Sequence, residues 1–229
     1  METHVSTQPA GLCRRVVFWR HGRTAWNAAQ RFQGQTDIPL DAVGHAQALR
    51  AATLLAGLEP SRIVSSDLER ARDTAGYLAR LSGLTVSVDP RLREIFAGVW
   101  QGMTFGEIEA AFPADALRWK GDDTTMRVGG GETRVEVAHR LAAAVQESLL
   151  MLPAGETMVL ATHGGAARVG IAHLLGLPEE HWGVLSGLAN CQWSVLEEVQ
   201  PTVEPSAARW KLSEYNAGTL PEPVEPVED

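Results

Sequence analysis

At 229 residues, with 45% hydrophobic and 21% charged positions, the chain is long enough for one large domain with a substantial core, and its composition is globular rather than disordered. A net charge of −8 argues against nucleic acid as a partner, because phosphate backbones recruit basic surfaces. The two cysteines, Cys13 and Cys191, are too far apart in sequence for a zinc pattern and too few for a disulfide framework; they read as idle thiols in a reducing compartment.

Residues 1–14 read as a loose polar tail without the apolar run of an export signal. Arg15-Val16-Val17-Phe18-Trp19-Arg20 then forms a short apolar run that stops at His21-Gly22, the pattern of a buried strand and a turn. Ala42 to Gly57 is helix-like, and Arg62-Ile63-Val64-Ser65 is a second strand. Ser66-Asp67-Leu68-Glu69 fits a capping box, followed by an apolar stripe at Leu68, Ala71, Ala75, Leu78 and Leu81. Thr85-Val86-Ser87-Val88 is a third strand. Thr133-Arg134-Val135-Glu136 repeats the capping pattern ahead of a stripe at Ala138, Leu141, Val145, Leu149 and Leu152. Met158-Val159-Leu160-Ala161 is a fourth strand, again ending in His-Gly at His163-Gly164, with a helix to about Leu175. Asn190 to Glu198 and Arg209 to Asn216 read as a late strand pair. Residues 218–229 are acidic and Pro-rich and read as disordered. No stretch is long and apolar enough to span a membrane: Leu149 to His163 is broken by Pro153, Gly155 and Glu156. A soluble, cytoplasmic protein is expected.

Strands alternating with helices predict an α/β fold: a three-layer α/β/α sandwich with a mostly parallel central sheet, over residues 15–217. The irregular segment 96–131, with Trp100, Phe105, Phe112 and Trp119, reads as a small helical cap insertion.

Ligands of open parallel sheets sit beyond the carboxyl ends of the strands, so His21 and His163 are candidates to meet. Gly22, Gly164 and Gly165 let backbone N–H groups approach an anion. Arg20 adjoins His21, and Arg70 sits in the first turn after the second strand, at the same end of the sheet. Two histidines, two arginines and helix N-termini make a pocket for a doubly charged anion. All basic residues but Lys120 and Lys211 are arginines, whose planar fork suits phosphate oxygens.

The run Phe18-Trp19-Arg20-His21-Gly22-Arg23-Thr24-Ala25-Trp26-Asn27 resembles the Arg-His-Gly signature of the histidine phosphatase superfamily, also called phosphoglycerate mutase-like. Ser65-Ser66-Asp67-Leu68-Glu69-Arg70-Ala71 resembles the family's second-arginine segment. Leu92-Arg93-Glu94-Ile95, followed by Gly98, Trp100 and Gly102, resembles its acid segment, and Thr162-His163-Gly164-Gly165 its second-histidine segment. The resemblance implies that His21 takes the phosphoryl group, that Arg20, Arg70 and His163 clamp its oxygens, and that Glu94 serves as acid and then base. It further implies phosphate or substrate contacts from Asn27, Gln33, Gly34 and Gly164, no cofactor or metal, a small phosphorylated metabolite as partner, and a homodimer. Gly130-Gly131-Glu132 resembles a stretch near the pocket of relatives, and reads equally as a loop before a capped helix.

The phosphatase branch is favoured over the mutase alternative because the segment from Met103 to Gly131 is short and lacks paired arginines for a second anionic group. Arg31 to Pro39 and Ser186 to Trp193 look similar to glucosyl-3-phosphoglycerate phosphatases and to broad-specificity phosphatases of the family. Trp100, Trp119, Met126, Arg118, Lys120 and Arg127 are the residues expected to line or support the cap. An inactive phosphate-binding scaffold is disfavoured because all five central residues are present. A metal-dependent hydrolase is disfavoured because no His-x-His pair or acidic cluster accompanies the histidines.

Overall fold

Consecutive residues of the first strand face opposite layers. Val16 and Phe18 pack into one apolar cluster, and Val17 and Trp19 into the other. The same alternation recurs at Met158 and Leu160 against Val159 and Ala161, so the sheet is covered on both faces. These observations come from a computed structural model, which describes residues 13–199 and 209–218.

The sheet has six strands in the order β3-β2-β4-β1-β5-β6. They are β1 (Arg15–Arg20), β2 (Arg62–Ser65), β3 (Val86–Val88), β4 (Thr157–Thr162), β5 (Trp193–Val199) and β6 (Arg209–Ala217). The first four run parallel, and β5 and β6 close one edge antiparallel. The architecture is a three-layer α/β/α sandwich with a mixed, mostly parallel sheet, as the alternating pattern predicts. One layer holds α2 (Ala42–Ala56) and α3 (Glu69–Ser82); the other holds α6 (Arg134–Leu149) and α7 (Gly164–Leu174). A four-residue helix, α1 (Ala25–Ala28), follows the first His-Gly turn, and α4 (Phe105–Ala111) and α5 (Pro113–Lys120) lie within the 96–131 segment. Capping boxes start α1 at Thr24 and Asn27, α4 at Thr104 and Glu107, and α6 at Thr133 and Glu136.

Two local expectations fail. Ser66 does not cap α3: the N-cap is Leu68, without a side-chain cap bond, and the Ser66 hydroxyl turns to His163 instead. Leu81 leaves the apolar stripe of α3 and is half exposed, since the helix ends at Gly83 in the left-handed conformation just past the core. Arg14, assigned by sequence to the tail, is anchored. It forks onto Glu198 with Nε–Oε2 at 2.7 Å, and its Nη1 donates to the Leu149 carbonyl at 2.9 Å. Otherwise the two tails fall outside the described residues, except for Cys13 and Gly218.

The topology places the histidines side by side. Arg20 is paired with Thr162 in the β1–β4 register, so the next residue of each strand, His21 and His163, emerges at the same edge. Their ring centroids are 5.1 Å apart. Ser65 pairs with Ala161 on the other side of β4, which brings Ser66 and the start of α3 to that edge.

Candidate active site

Nδ1 of His21 lies 2.7 Å from the carbonyl of Gly22. A carbonyl only accepts, so Nδ1 carries the proton and Nε2 presents its lone pair. Nε of Arg70 donates towards that nitrogen at 3.3 Å. The turn that fixes this ring is tight. Gly22 N–H donates to Thr74 Oγ1 at 3.1 Å, and a Cβ on Gly22 would come within 2.4 Å of the Gly44 carbonyl, so α2 packs directly on the backbone.

His163 is buried beside it. Its Nε2 is 3.0 Å from Ser66 Oγ, and its Nδ1 is buried with no partner in the chain. The assignment that satisfies the local bonds has the Ser66 hydroxyl donating to Nε2 and accepting from Leu68 N–H at 3.4 Å, which leaves an Nδ1–H donor for a ligand. Arg20 offers a second orphan: Nη1 donates to the Leu188 carbonyl at 2.6 Å, while Nε is buried and unpartnered. Arg70 is held by the carbonyls of Gly34 and Thr36, each at 2.8 Å.

Burial is the main reason that both histidines lie well below their ordinary pKa; Arg70 is the next cause at each. Arg20 then adds to the depression of His21, and the His21 ring to that of His163. Burial also lowers Arg70, to about 10, leaving it a full cation at neutral pH. The edge of the sheet thus carries two neutral imidazoles beside two cations.

Glu94 is not paired with either flanking arginine: Arg93 binds Asp67, and Arg91 binds Asp89 and Glu147. Its Oε2 accepts from Gly165 N–H at 3.0 Å, at the positive end of α7. A Cβ on Gly165 would stand 2.9 Å from Glu94 Oε1, so only glycine admits the carboxylate there. Arg140, on α6, donates to the carbonyls of Arg91, Arg93 and Glu94 at 2.6 to 2.9 Å and thereby pins the segment that carries Glu94. Glu132 of the Gly-Gly-Glu stretch holds Arg140 in turn at 2.9 Å.

A cleft of about 250 Å³ has Arg20, His21, Asn27, Gln33, Gly34, Arg70 and Glu94 among its walls, whereas His163 is fully buried and is not one of them. Asn27 Oδ1 caps α1 and also accepts from Asn190 at 3.1 Å. Gln33 is buried, with its Oε1 unpartnered. Gly34 has φ +53°, which turns its carbonyl onto Arg70. Gly164 lies behind the wall: a Cβ there would meet the Leu188 carbonyl at 2.8 Å and Arg20 Nε at 3.2 Å. Its neighbour Gly165 lines the cleft instead.

The cap residues divide. Trp119 lines the cleft, while Trp100 and Met126 are buried support. Of the two roles expected of Arg118, Lys120 and Arg127, lining or supporting the cap, they take the second: each is held in an exposed ion pair, with Asp123, Glu109 and Glu136 respectively, and none is a wall of the cleft. The sequence reading missed Arg134, Arg140 and Arg168, which project from helices whose apolar stripes drew attention elsewhere. Among the described residues no group of three or more His, Cys, Asp or Glu could hold a metal ion, and no helix is long and apolar enough to cross a membrane.

Residues 16–215 match the profile of the Histidine phosphatase superfamily (branch 1). The glucosyl-3-phosphoglycerate phosphatase of Mycolicibacterium vanbaalenii is 44% identical over 214 residues, covering 89% of this chain and 95% of that protein. The solved structure of mycobacterial glucosyl-3-phosphoglycerate phosphatase with VO3 superposes with a TM-score of 0.83 at 41% identity, over 90% of this chain and 100% of that one. A probable phosphoglycerate mutase of Yersinia enterocolitica is 39% identical over 183 residues, 78% of this chain and 82% of that protein. The chain belongs to the histidine phosphatase superfamily. It is a phosphomonoester hydrolase, acting on a small phosphorylated substrate.

Proposed function

We propose that the chain hydrolyses a sugar-phosphoglycerate such as glucosyl-3-phosphoglycerate through a phosphohistidine on Nε2 of His21. The observation that carries the reading is the fixed tautomer of His21, with Nδ1–H on the Gly22 carbonyl and the Nε2 lone pair beside Arg70. Nε2 attacks phosphorus while the ester P–O bond breaks, and the departing oxygen takes a proton from Glu94. Water then attacks the same phosphorus, its proton passes to Glu94, and the P–N bond breaks to restore the lone pair. Arg20 and Arg70 neutralise the phosphoryl oxygens throughout, and His163 Nδ1–H donates a hydrogen bond to them; in phosphoryl transfer such positioning and charge compensation are the main catalytic devices. Asn27, Gln33 and the Gly34 turn shape the phosphate end of the cleft. The 96–131 segment serves as the cap and supplies Trp119.

The names of the mycobacterial relatives support the substrate. The likeness to a probable mutase favours a second reading, phosphoryl transfer between hydroxyls. Against it, each of the three cap cations Arg118, Lys120 and Arg127 is already paired with a carboxylate of the chain. The same proposal has the enzyme working in the cytoplasm as a homodimer, without nucleic acid, in keeping with its charge of −8.

The test is phosphate release in a strong chelator from glucosyl-3-phosphoglycerate, 3-phosphoglycerate, p-nitrophenyl phosphate, sugar phosphates and nucleotides. Glucosyl-3-phosphoglycerate should stand orders of magnitude above the rest in kcat/KM. Flat activity across the panel contradicts the dedicated substrate, activity lost in chelator contradicts the metal-free mechanism, and exchange of phosphate between glycerate positions favours the mutase.

A further inference from the structure

The catalytic cleft does not end at Glu94. A recess of about 250 Å³ opens beyond it, and Glu94, Ile95, Trp119 and Gly165 are walls of both spaces. Arg134, from the first turn of α6, and Arg168, from the second turn of α7, line the recess.

Two guanidinium groups there share one ion-paired carboxylate, since Glu94, on the shared wall, lies within ion-pair distance of neither. Asp122 Oδ1 lies 2.6 Å from Arg168 Nη2 and 3.4 Å from Arg134 Nη2. Asp123 does not restore the balance, because its carboxylate binds Arg118 at 2.8 Å. Arg134 is buried and stacked on Trp119, with its guanidinium carbon 3.8 Å from the ring centroid, and it spends its donors on the carbonyls of Asp123 and Trp119. Arg168 is less fully spent. Nη2 serves Asp122 and the Trp182 carbonyl, but Nε is buried and unpartnered. A buried donor of a charged group without an acceptor is costly and rare in folded proteins. Asp122 itself sits at φ +57°, a conformation that few non-glycine residues adopt, and a Cβ on Gly183 would stand 2.8 Å from its Oδ2. The backbone is therefore bent and closed down around the carboxylate that aims the two arginines.

We infer that the recess is a carboxylate subsite, in which Arg168, backed by Arg134 and Trp119, receives the carboxylate of the group that leaves with the ester oxygen. The inference rests on the phosphatase reading and adds to it the residue that selects the leaving group. An ester whose phosphorus is at His21 has its bridging oxygen at Glu94, and what is bonded to that oxygen enters the recess through the shared walls. The planar fork of Arg168 matches a carboxylate, and the Trp119 ring offers an apolar face to the carbon skeleton. Asp122 is a positioning residue: it orients the arginines and neutralises one of the two charges. The enzyme thus selects phosphate esters of hydroxy acids over the same esters lacking the acid.

The test compares 3-phosphoglycerate with glycerol 3-phosphate, which differ at the carboxylate, on the full chain and on its Arg168→Gln and Arg168→Lys variants. The unaltered enzyme favours 3-phosphoglycerate by about 10- to 100-fold in kcat/KM, the range of one buried charge-assisted pair. Arg168→Gln brings the ratio towards one through KM, and Arg168→Lys keeps part of the preference. A ratio near one in the unaltered enzyme overturns the subsite whether or not the variants fold. So does an equal loss on both substrates in Arg168→Gln, which is what a purely structural arginine would give. Failure of the phosphatase reading looks different: the unaltered enzyme then releases phosphate from neither compound.

Discussion

Nε of Arg70 lies 3.3 Å from Nε2 of His21. A guanidinium has no lone pair to offer, so this contact exists only while the imidazole nitrogen is unprotonated. The same cation also raises the cost of adding a proton there, second only to burial in holding His21 below its ordinary pKa. In the proposed mechanism one side chain therefore orients the nucleophile, keeps it available and clamps the phosphoryl group that arrives.

Replacing Arg70 by Met should lower kcat/KM by roughly two to three orders of magnitude, the usual weight of a preorganised charge at a phosphoryl centre. It should also move the acid limb of the pH–rate profile upward, because the His21 pKa rises once the cation is gone. The carbonyls of Gly34 and Thr36 lose their donor as well, so a lower Tm should accompany the change. An acid limb that stays in place would separate Arg70 from the titration of His21.

Glu94→Gln should slow alkyl phosphates far more than p-nitrophenyl phosphate, because nitrophenolate departs without help from a proton donor. Parallel kcat measurements on the two substrates check this; equal losses would argue that Glu94 is not the acid.

Gly165→Ala should reproduce that signature from outside the acid itself. The new methyl would stand 2.9 Å from Glu94 Oε1, and the flexible end of the glutamate yields before the helix backbone does. A fall of about tenfold or more in kcat for an alkyl phosphate, with little change in Tm, is expected for a displaced proton donor. Normal kcat in the Gly165→Ala variant would show that the Glu94–Gly165 contact is dispensable.

Stability should fall on acidification below about pH 6.5. His21 and His163 are buried and titrate below their unfolded pKa, so between the two values the unfolded chain binds the extra protons. Each histidine then removes about 1.4 kcal/mol per pH unit within that window. The displaced carboxylates move the other way: the Arg93 hydrogen bond holds Asp67 below its ordinary range, and hydrogen bonds from Thr125 and Arg118 lower Asp123 to about 2, so neither titrates between pH 7 and pH 5. Thermal melts from pH 7 to pH 5 check the slope; a flat Tm would mean that the histidines remain solvated.

The parts of this molecule that repeat a local rule were legible in the sequence. The two strands ending in His-Gly, their parallel pairing and the capping box at Thr133 all follow from periodicity and short-range bonding. Ser66 was misread because a tertiary bond to His163 outcompetes the local cap, and nothing within four residues of Ser66 reveals it. Whether Arg118 and Arg127 line the cleft or support the segment around it stayed open in the sequence for a related reason: each finds a carboxylate close in space, and spacing alone does not show which cations are spent. Arg134 and Arg168 became visible only once α6 and α7 were packed together, with Asp122 brought between them.

The central claim is that phosphorus passes through Nε2 of His21. The direct measurement is rapid acid-free quenching of the enzyme during turnover of labelled substrate, followed by peptide mapping. The account predicts label on the His21 peptide, acid-labile and base-stable as a phosphoramidate should be, with none in His21→Ala, which folds but does not turn over. Label on another residue, or undiminished turnover by His21→Ala, would contradict it.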